Sequence, residues 1–253
     1  MYGVGIDIGS TAAKVAVYKN SKVISKFVMP SGWNSRDTAR DIYEKLSAEG
    51  FSEKNAKIVA TGYGRISVPY ANKVVTEITC HGRGASHFVE GDCTVVDIGG
   101  QDTKVISLEG GIVADFTMND KCSAGTGRFI EVMANSLGLT IEELIELSTR
   151  GSNTEITSMC TVFAESEVIS LVGSGTRKED IAYGIVNSVV KKVKSLCTRH
   201  GKADTYFLSG GFSGNRNMLK KLEEELGARV VSHGEGRYTG AIGAAIMAEN
   251  IKR

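Results

Sequence analysis

The feature that most constrains how this chain can fold is an internal repeat of one strand–turn–strand pattern. Residues 4–17 read VGIDIGSTAAKVAV, and residues 94–107 read TVVDIGGQDTKVIS. Each segment ends a hydrophobic run with an Asp, continues with Ile and Gly, and carries a Lys-Val pair beyond the turn. Self-similarity of this kind indicates two halves built on the same supersecondary unit, here a β-hairpin whose turn follows an Asp.

The segments after each hairpin alternate between strand and helix patterns. Residues 34–51 place Ile42, Tyr43 and Leu46 on one helical face, and KIVATG at 57–62 reads as a buried strand. The alternation predicts an α/β protein in two halves. At 253 residues a single core stops growing. We therefore expect a first lobe formed by 1–93 plus 236–253, onto which the last helix packs, and a second lobe formed by 94–235.

The composition limits the possible classes of function. The formal net charge of +1 gives no electrostatic case for nucleic-acid binding. The first ten residues, MYGVGIDIGS, contain neither a basic segment nor a long apolar run, so we expect no signal peptide, no membrane span and a cytoplasmic location. Five cysteines without a CxxC pair indicate a reducing compartment rather than a disulfide framework or a zinc knuckle.

Both Asp-Gly turns carry the residue types of a phosphate site. Backbone N–H groups in a glycine turn can donate to phosphate oxygens, and Asp7 and Asp97 can hold Mg²⁺ through water. Gln101 is either the residue that orients an attacking water or an ordinary polar turn residue. The remaining predicted nucleotide contacts in the two turns are Gly9, Ser10, Thr11, Lys14, Gly99, Gly100 and Asp102. Two ordinary hairpins are the alternative, which the match between the copies disfavours.

A third glycine-rich turn follows a predicted strand in YFLSGGFSGN, residues 206–215. Glycines at such a place let a flat ring or a ribose approach the backbone, so we expect Gly210, Gly211 and Phe212 to contact a nucleoside. The order of the three motifs resembles the actin, sugar-kinase and heat-shock ATPase superfamily, whose fold is ribonuclease H-like. The resemblance implies an ATP-binding cleft between two lobes.

Two cysteines stand just before predicted helices: Cys122 in NDKCSAGTGRF and Cys160 in SMCTVFAESEV. A helix N-terminus favours negative charge and lowers the pKa of a thiol, which suits a ligand of a soft metal or an iron–sulfur cluster. A cubane cluster needs four thiolates, so two chains about a twofold axis would have to share it. Two buried thiols that act as small hydrophobes are the alternative.

Five motifs together resemble the ATP-dependent activators (component A) of (R)-2-hydroxyacyl-CoA dehydratases, within the benzoyl-CoA reductase and dehydratase-activator ATPase family. They are GIDIGSTAAK, ATGYGR, VVDIGGQDTKVI, MNDKCSAGTGRFIEVMA and CTVFAESEVIS. The resemblance implies a homodimer in which Cys122 and Cys160 of each subunit hold one 4Fe-4S cluster. It also implies ATP/ADP with Mg²⁺, and hydrolysis that drives one-electron transfer. Gly125 and Thr126 would then connect the cluster to the phosphates.

The same resemblance implies the partners. They are an iron–sulfur dehydratase or reductase component, with a ferredoxin or flavodoxin as the electron source. Two alternatives stay open: the same machine serving a double-cubane cluster protein or a CoA-ester reductase, and a cluster-free sugar kinase or ATPase of the superfamily. Either Glu165 or Glu167 contacts the nucleotide, or both face solvent near a helix N-terminus.

The remaining singular residues have structural interpretations. We expect Cys80, Cys93 and Cys197 to be buried packing residues. Residues 191–194, KKVK, are expected to form a solvated helix face, with an acidic partner as the alternative. Trp33 is expected to anchor its loop.

Overall fold

The computed structural model describes residues 1–157 and 160–252. They form two compact units. The first unit contains Met1–Val95, Ile106–Phe116 and the chain from His233 onward, and the second contains Val96–Val105 and Thr117–Ser232.

The first sheet has five strands in the order β3-β2-β1-β4-β5. Its strands are β1 (Tyr2–Ile8), β2 (Ala12–Lys19), β3 (Lys22–Pro30), β4 (Ala56–Thr61) and β5 (Lys73–Val74). The first three pair antiparallel, whereas β4 pairs parallel to β1 and β5 parallel to β4. Asn20 and Ser21 join β2 to β3 with φ values of 49° and 63°, as a two-residue type I′ hairpin requires. The β1–β2 register places Asp7 opposite Lys14.

The second sheet has the order β10-β9-β6-β7-β8. Its strands are β6 (Cys93–Ile98), β7 (Thr103–Glu109), β8 (Ile112–Asn119), β9 (Thr205–Gly210) and β10 (Arg229–Ser232). In both sheets the first strand of the half is central, the second and third extend to one side, and the fourth and fifth extend to the other. The predicted repeat is therefore confirmed, and it extends from the hairpins to two complete five-stranded sheets.

The described residues form helices where the sequence predicted them. They are α1 (Ser35–Ala48), α2 (Glu77–Phe88), α3 (Gly127–Ser136), α4 (Ile141–Leu147), α5 (Thr161–Gly173), α6 (Lys178–His200), α7 (Arg216–Leu226) and α8 (Thr239–Glu249), with short 3₁₀ turns at Arg65–Ser67, Ser148–Arg150 and Gly236–Tyr238. Local sequence explains their starts. Before α4, for example, Thr140 and Glu143 form a reciprocal capping box.

Each unit has its own hydrophobic core. In the second unit, α3 to α7 pack around fully buried side chains such as Phe129, Met133 and Ile181. Each such burial contributes about 1.5–3 kcal/mol. In the first unit, α8 lies directly on β1. A Cβ atom at Gly3 or Gly5 would overlap backbone carbonyl oxygens of α8, so only glycine permits this approach. The last helix thus packs on the first unit.

One lobe boundary differs from the prediction. Residues 106–116 were assigned to the second lobe, but they group with the first unit. The reason is packing against α2. The side chains of Leu108 and Val113 lie against Gly82, and the Ser86 hydroxyl donates to the carbonyl of Gly111 at 3.0 Å. These contacts join residues that the sequence pattern could not relate.

Within the described ranges, no helix combines the length and the apolar character needed to cross a bilayer.

Candidate functional site

The second Asp-Gly turn, after β6, is built around a buried lysine. The Gly99 N–H donates to the carbonyl of Asp102 at 2.9 Å and closes the turn. Lys104 Nζ lies 2.8 Å from Asp102 Oδ1 and 3.4 Å from Asp97 Oδ2. All three charged side chains are at least 95% buried. In the second copy of the repeat, Asp97 and Lys104 therefore belong to a buried ion-pair cluster and do not face solvent.

The negative charge in this cluster exceeds the positive charge. The cluster contains two carboxylates and one ammonium group, and Asp102 Oδ2 is buried without a hydrogen-bond partner among the described residues. Leaving a buried carboxylate oxygen unsatisfied costs about 1–3 kcal/mol or more. Carboxylate oxygens are the ligands that Mg²⁺ prefers. The donor set at this turn therefore fits a divalent cation.

The third predicted motif lies beside this cluster, because β9 pairs next to β6 in the sheet. The Ser209 hydroxyl donates to Asp97 Oδ1 at 2.7 Å. Gly210 has a φ of +88°, and a Cβ there would overlap the carbonyl oxygen of Ile98. Gly211 has open space around its Cα, whereas the Phe212 side chain is buried in the core of the second unit. The fold thus brings the second and third motifs together.

The first Asp-Gly turn repeats part of this design within the first unit. Asp7 is 95% buried, and Lys14 Nζ lies near Gly9, at 3.5 Å from where its Cβ would be. The Ser31 hydroxyl donates to the carbonyl of Gly9 at 2.6 Å, and the Ser31 N–H donates to the carbonyl of Thr11 at 3.1 Å. The Gly9 N–H donates to the carbonyl of Ala12 at 3.2 Å and closes the turn, as the Gly99 N–H does in the second unit. Ser10 is half-buried and Thr11 exposed.

Sequence reasoning missed one repeated element. β4 ends at Thr61, opposite Asp7, and Gly62 follows it, whereas β9 ends in Ser209-Gly210 next to Asp97. Gly62 has a φ of +83°, and its Cβ would lie 2.5 Å from Asp7 Oδ1. The sequence contains a signal for this repeat, because a hydroxyl residue followed by a glycine stands at the end of the fourth strand in each half. That signal can be recognised only once the order of the strands in the sheets is known.

The five cysteines divide into two groups. Cys80, Cys93 and Cys197 are buried, as predicted, and Cys122 and Cys160 are exposed. Burial raises the pKa of the Cys80 and Cys197 thiols to about 12 and that of Cys93 to about 11. Thiolate chemistry near neutral pH is therefore disfavoured at these three cysteines. Cys122 and Cys160 lie at the surface, so the alternative that they are buried thiols acting as small hydrophobes is wrong.

The two exposed cysteines lie on neighbouring segments. Cys160 is the N-cap residue of α5, and Cys122 precedes α3. The residues directly after them are joined, since the hydroxyls of Ser123 and Thr161 are hydrogen-bonded at 2.7 Å. No group of three potential metal ligands occurs within the described part of one chain. Cys122 and Cys160 stay the predicted cluster ligands of one subunit.

Hydrogen bonds connect the Asp-Gly turn after β6 to α3. The N–H groups of Gly127 and Arg128 donate to the carbonyls of Gly99 and Gly100 at 2.8 and 2.9 Å. Two of the four N–H groups at the start of α3 are thus used within the protein. Gly125 and Thr126 stay predicted nucleotide contacts. The carbonyl of Gly125 accepts from the Thr103 hydroxyl at 2.7 Å, and the Thr126 hydroxyl donates to the carbonyl of Ser123 at 2.6 Å.

The two glutamates of α5 have partners in the protein. Glu165 accepts from the Ser136 hydroxyl at 2.9 Å, and Glu167 accepts from the N–H and hydroxyl of Thr157. Gln101 is exposed at the tip of its turn. Its position is compatible with either of its two predicted roles.

Two surface predictions have different outcomes. Lys191 and Lys194 are surface residues of α6 that pair with Glu155 and Glu225, so this part of the KKVK segment is a solvated face as expected. The prediction for Trp33 is wrong, because its side chain is 99% exposed. The loop is held instead by Asn34, which caps α1, and by the Thr38 hydroxyl, which donates to the carbonyl of Ser31.

Cavities occur in both units. One cavity in the first unit, about 500 Å³, is lined by Arg36, Tyr43 and Tyr70 among others, and by none of the predicted site residues. One cavity in the second unit, about 290 Å³, lies beside the Cys122 turn. Its walls include Gly125, Lys191, Lys192, Ser188 and Ser195. Its size is near the lower end of the usual range for small ligands, about 300–1,000 Å³.

Known structures share this fold. The activator of the 2-hydroxyisocaproyl-CoA dehydratase from Clostridium difficile, with bound ADPNP, superposes with a TM-score of 0.90 at 37% identity, over 100% of this chain and 99% of that one. A ROK family glucokinase from Streptomyces griseus superposes with a TM-score of 0.64 at 13% identity, over 99% and 100%. At that identity the likeness shows the fold alone. The predicted sugar-kinase and actin-like α/β fold is therefore confirmed.

Sequence comparison agrees with the structural one. The (R)-2-hydroxyglutaryl-CoA dehydratase activating ATPase of Acidaminococcus fermentans is 44% identical over 252 residues, which cover 98% of this chain and 97% of the relative. The family model of the BadF/BadG/BcrA/BcrD ATPases matches residues 4–248. The predicted resemblance to the activator ATPases is confirmed, and the chain belongs to the BadF/BadG/BcrA/BcrD ATPase family.

Proposed function

We infer that this chain is an ATP-hydrolysing one-electron donor that acts as a homodimer and activates a 2-hydroxyacyl-CoA dehydratase. Its two compact units are the two ATPase lobes. Two copies share one 4Fe-4S cluster, and a ferredoxin or flavodoxin supplies the electron. The 44% identity to an activating ATPase of one such dehydratase supports the choice of partner.

The observation that carries this proposal is the position of the two exposed thiols. Cys122 and Cys160 lie on segments that the Ser123–Thr161 hydrogen bond joins, and each precedes or caps a helix. The N-terminus of α5, which Cys160 caps, favours an anionic group by about 0.3–1 kcal/mol when exposed. Thiolates are the usual ligands of a cubane cluster, which stores and releases one electron at a time. The donor set therefore fits half of such a site.

The second half would come from another copy. The exposed face of α5 that begins beside Cys160 carries three large apolar side chains: Val162 is 67%, Phe163 68% and Ile169 60% accessible. Ala164 and Val168 occupy the opposite, buried face. Large apolar side chains grouped on one exposed helix face are typical of an interaction site. An isologous contact through α5 would bring the other two thiols to the same place.

The nucleotide is assigned to the two Asp-Gly turns. Asp7 and Asp97 hold Mg²⁺ through water, with Asp102 as an additional oxygen ligand suggested by its unsatisfied Oδ2. The remaining turn residues are assigned to the phosphates, and Gln101 is assigned to orient the attacking water. The nucleoside lies near Gly210 and Gly211.

The cavity of about 290 Å³ extends that assignment. Lys192 and Gly125 contribute to its walls, and these two residues are in close contact: a Cβ at Gly125 would lie 2.9 Å from Lys192 Cβ. Serine hydroxyls and a lysine ammonium can bind ribose and phosphate oxygens. This cavity can therefore admit polar groups of a nucleotide that contacts Gly125.

Anaerobic purification tests the proposal directly. The wild-type protein should be brown, dimeric by light scattering, and contain about four iron atoms per dimer. Cys122→Ser and Cys160→Ser should each lose the iron but keep most of the ATP binding, since the phosphate turns are elsewhere. Cys93→Ala, which changes a buried cysteine, is the matched control and should keep full iron. A single mutant with a full iron complement would show that the ligands are misassigned.

Activity assays separate the remaining functions. With ATP and a reduced ferredoxin or flavodoxin, the wild-type protein should activate an (R)-2-hydroxyacyl-CoA dehydratase. Iron binding without this activation would favour a double-cubane cluster protein or a CoA-ester reductase as the partner. A colourless protein that phosphorylates a sugar would contradict both electron-transfer functions.

A further inference from the structure

The contact between Ser123 and Thr161 is placed where it can act on both predicted cluster ligands. Each residue directly follows one of the two exposed cysteines, and their hydroxyl oxygens are 2.7 Å apart. Both side chains are half-buried, so water competes with this bond less than it would at an open surface. A hydrogen bond here limits the relative motion of two backbone segments that are otherwise separated by 38 residues.

The segment that carries Cys122 is additionally fixed from its own side. The Asn119 side-chain amide donates to the carbonyls of Cys122 and Ala124 at 2.9 and 3.1 Å. The Thr126 hydroxyl and N–H both donate to the carbonyl of Ser123. Cys160, in contrast, is an N-cap residue whose side chain makes no cap hydrogen bond. The well-ordered turn can therefore hold the second segment through Ser123.

The same turn is connected to the Asp-Gly turn. The N–H groups of Gly127 and Arg128 donate to the carbonyls of Gly99 and Gly100, and the Thr126 hydroxyl bonds to Ser123. Hydrogen bonds and short covalent links thus form a path from the turn after β6 to Ser123. The Ser123–Thr161 hydrogen bond extends this path to the second cysteine segment. A change in the turn on nucleotide binding would reach both cysteine segments through this path.

We propose that Ser123 and Thr161 are positioning residues that set the separation of the Cys122 and Cys160 thiols and make that separation respond to nucleotide. The thiol separation is a property of the iron-free protein as well. Only the part that concerns a bound cluster rests on the proposed function.

The iron-free test uses dibromobimane, a reagent that fluoresces once it has joined two thiols. The variants are Ser123→Ala, Thr161→Val and the double variant, all reduced and anaerobic. Loss of one hydrogen bond corresponds to about a twofold to tenfold change in an equilibrium population. We expect the rate of bridging between Cys122 and Cys160 to fall by about that factor in each variant. The double variant should be no slower than the single ones, because both lose the same bond.

Ser136→Ala is the matched control. Ser136 also joins α3 to α5, through Glu165 at 2.9 Å, but near the other end of α3. Its bridging rate should equal that of the wild type. All variants are compared at equal folded fraction, checked by thermal unfolding, so that a general loss of stability is not mistaken for lost positioning.

The second test measures iron release to a chelator from reconstituted protein, with ADP and with a non-hydrolysable ATP analogue. The ratio of the two rates should differ from one in the wild type and in Ser136→Ala, and move toward one in the Ser123 and Thr161 variants. Bridging rates and release ratios equal to those of the wild type would overturn the proposal. A wild-type protein that binds no iron, while its variants still bridge more slowly, would sustain the positioning role and contradict the proposed function.

Discussion

The buried ion-pair cluster of the second unit makes a strong prediction for Lys104→Met. Methionine keeps most of the length and apolar volume of lysine but removes the ammonium group that lies 2.8 Å from Asp102 and 3.4 Å from Asp97. Two buried carboxylates would then remain without that cation. Removing one partner of a buried ion pair costs about 3–5 kcal/mol. We expect the free energy of unfolding to fall by that amount.

The internal repeat supplies the control. Lys14→Met removes the equivalent lysine of the first turn, which is half-buried rather than buried. Ion pairs near solvent contribute about 1 kcal/mol or less, so this variant should lose little stability. Urea unfolding followed by far-UV circular dichroism is the appropriate assay, because Trp33 is 99% exposed and its fluorescence would report little.

The expected shift is large enough to measure. With an m value of about 3 kcal/mol/M for a chain of this size, the urea midpoint should fall by about 1–1.7 M for Lys104→Met. Equal midpoints for the two variants, or a loss below about 1 kcal/mol at Lys104, would refute the argument that this lysine offsets buried negative charge.

Three further predictions concern the metal and the thiols. Asp7→Ala and Asp97→Ala should weaken Mg²⁺-dependent ATP hydrolysis while the iron content stays unchanged; unchanged hydrolysis together with lost iron would reverse the division of labour. In iron-free native protein at pH 8, a thiol reagent such as DTNB should label two cysteines quickly and all five only after denaturation, because burial raises the pKa of the other three to about 11–12. Since these raised pKa values favour the neutral thiols in the folded state, their contribution to stability is complete below the unfolded pKa of about 8.5. It should decline as the pH rises toward 11–12, which pH-dependent urea unfolding would detect.

Local patterns were sufficient for much of the fold. Strand and helix periods, the turn residues and the repeat of Asp, Gly and Lys predicted two α/β halves, and the matching sheet orders agree with them. These signals are readable because each depends on residues only a few positions apart. Trp33 shows the limit of such reading, since exposure of a loop side chain depends on what the rest of the chain leaves uncovered.

The sequence by itself was enough to predict candidate residues for the chemistry: the two Asp-Gly turns, the third glycine pair and the two cysteines that precede predicted helices. Tertiary structure alone decided how they meet. Ser209 donates to Asp97 across 112 residues of chain, and Ser123 meets Thr161 across 38. Only the sheet order and helix packing bring such pairs within hydrogen-bond distance, and no local period encodes those contacts. For the same reason, packing on α2 placed residues 106–116 in the first unit against the prediction.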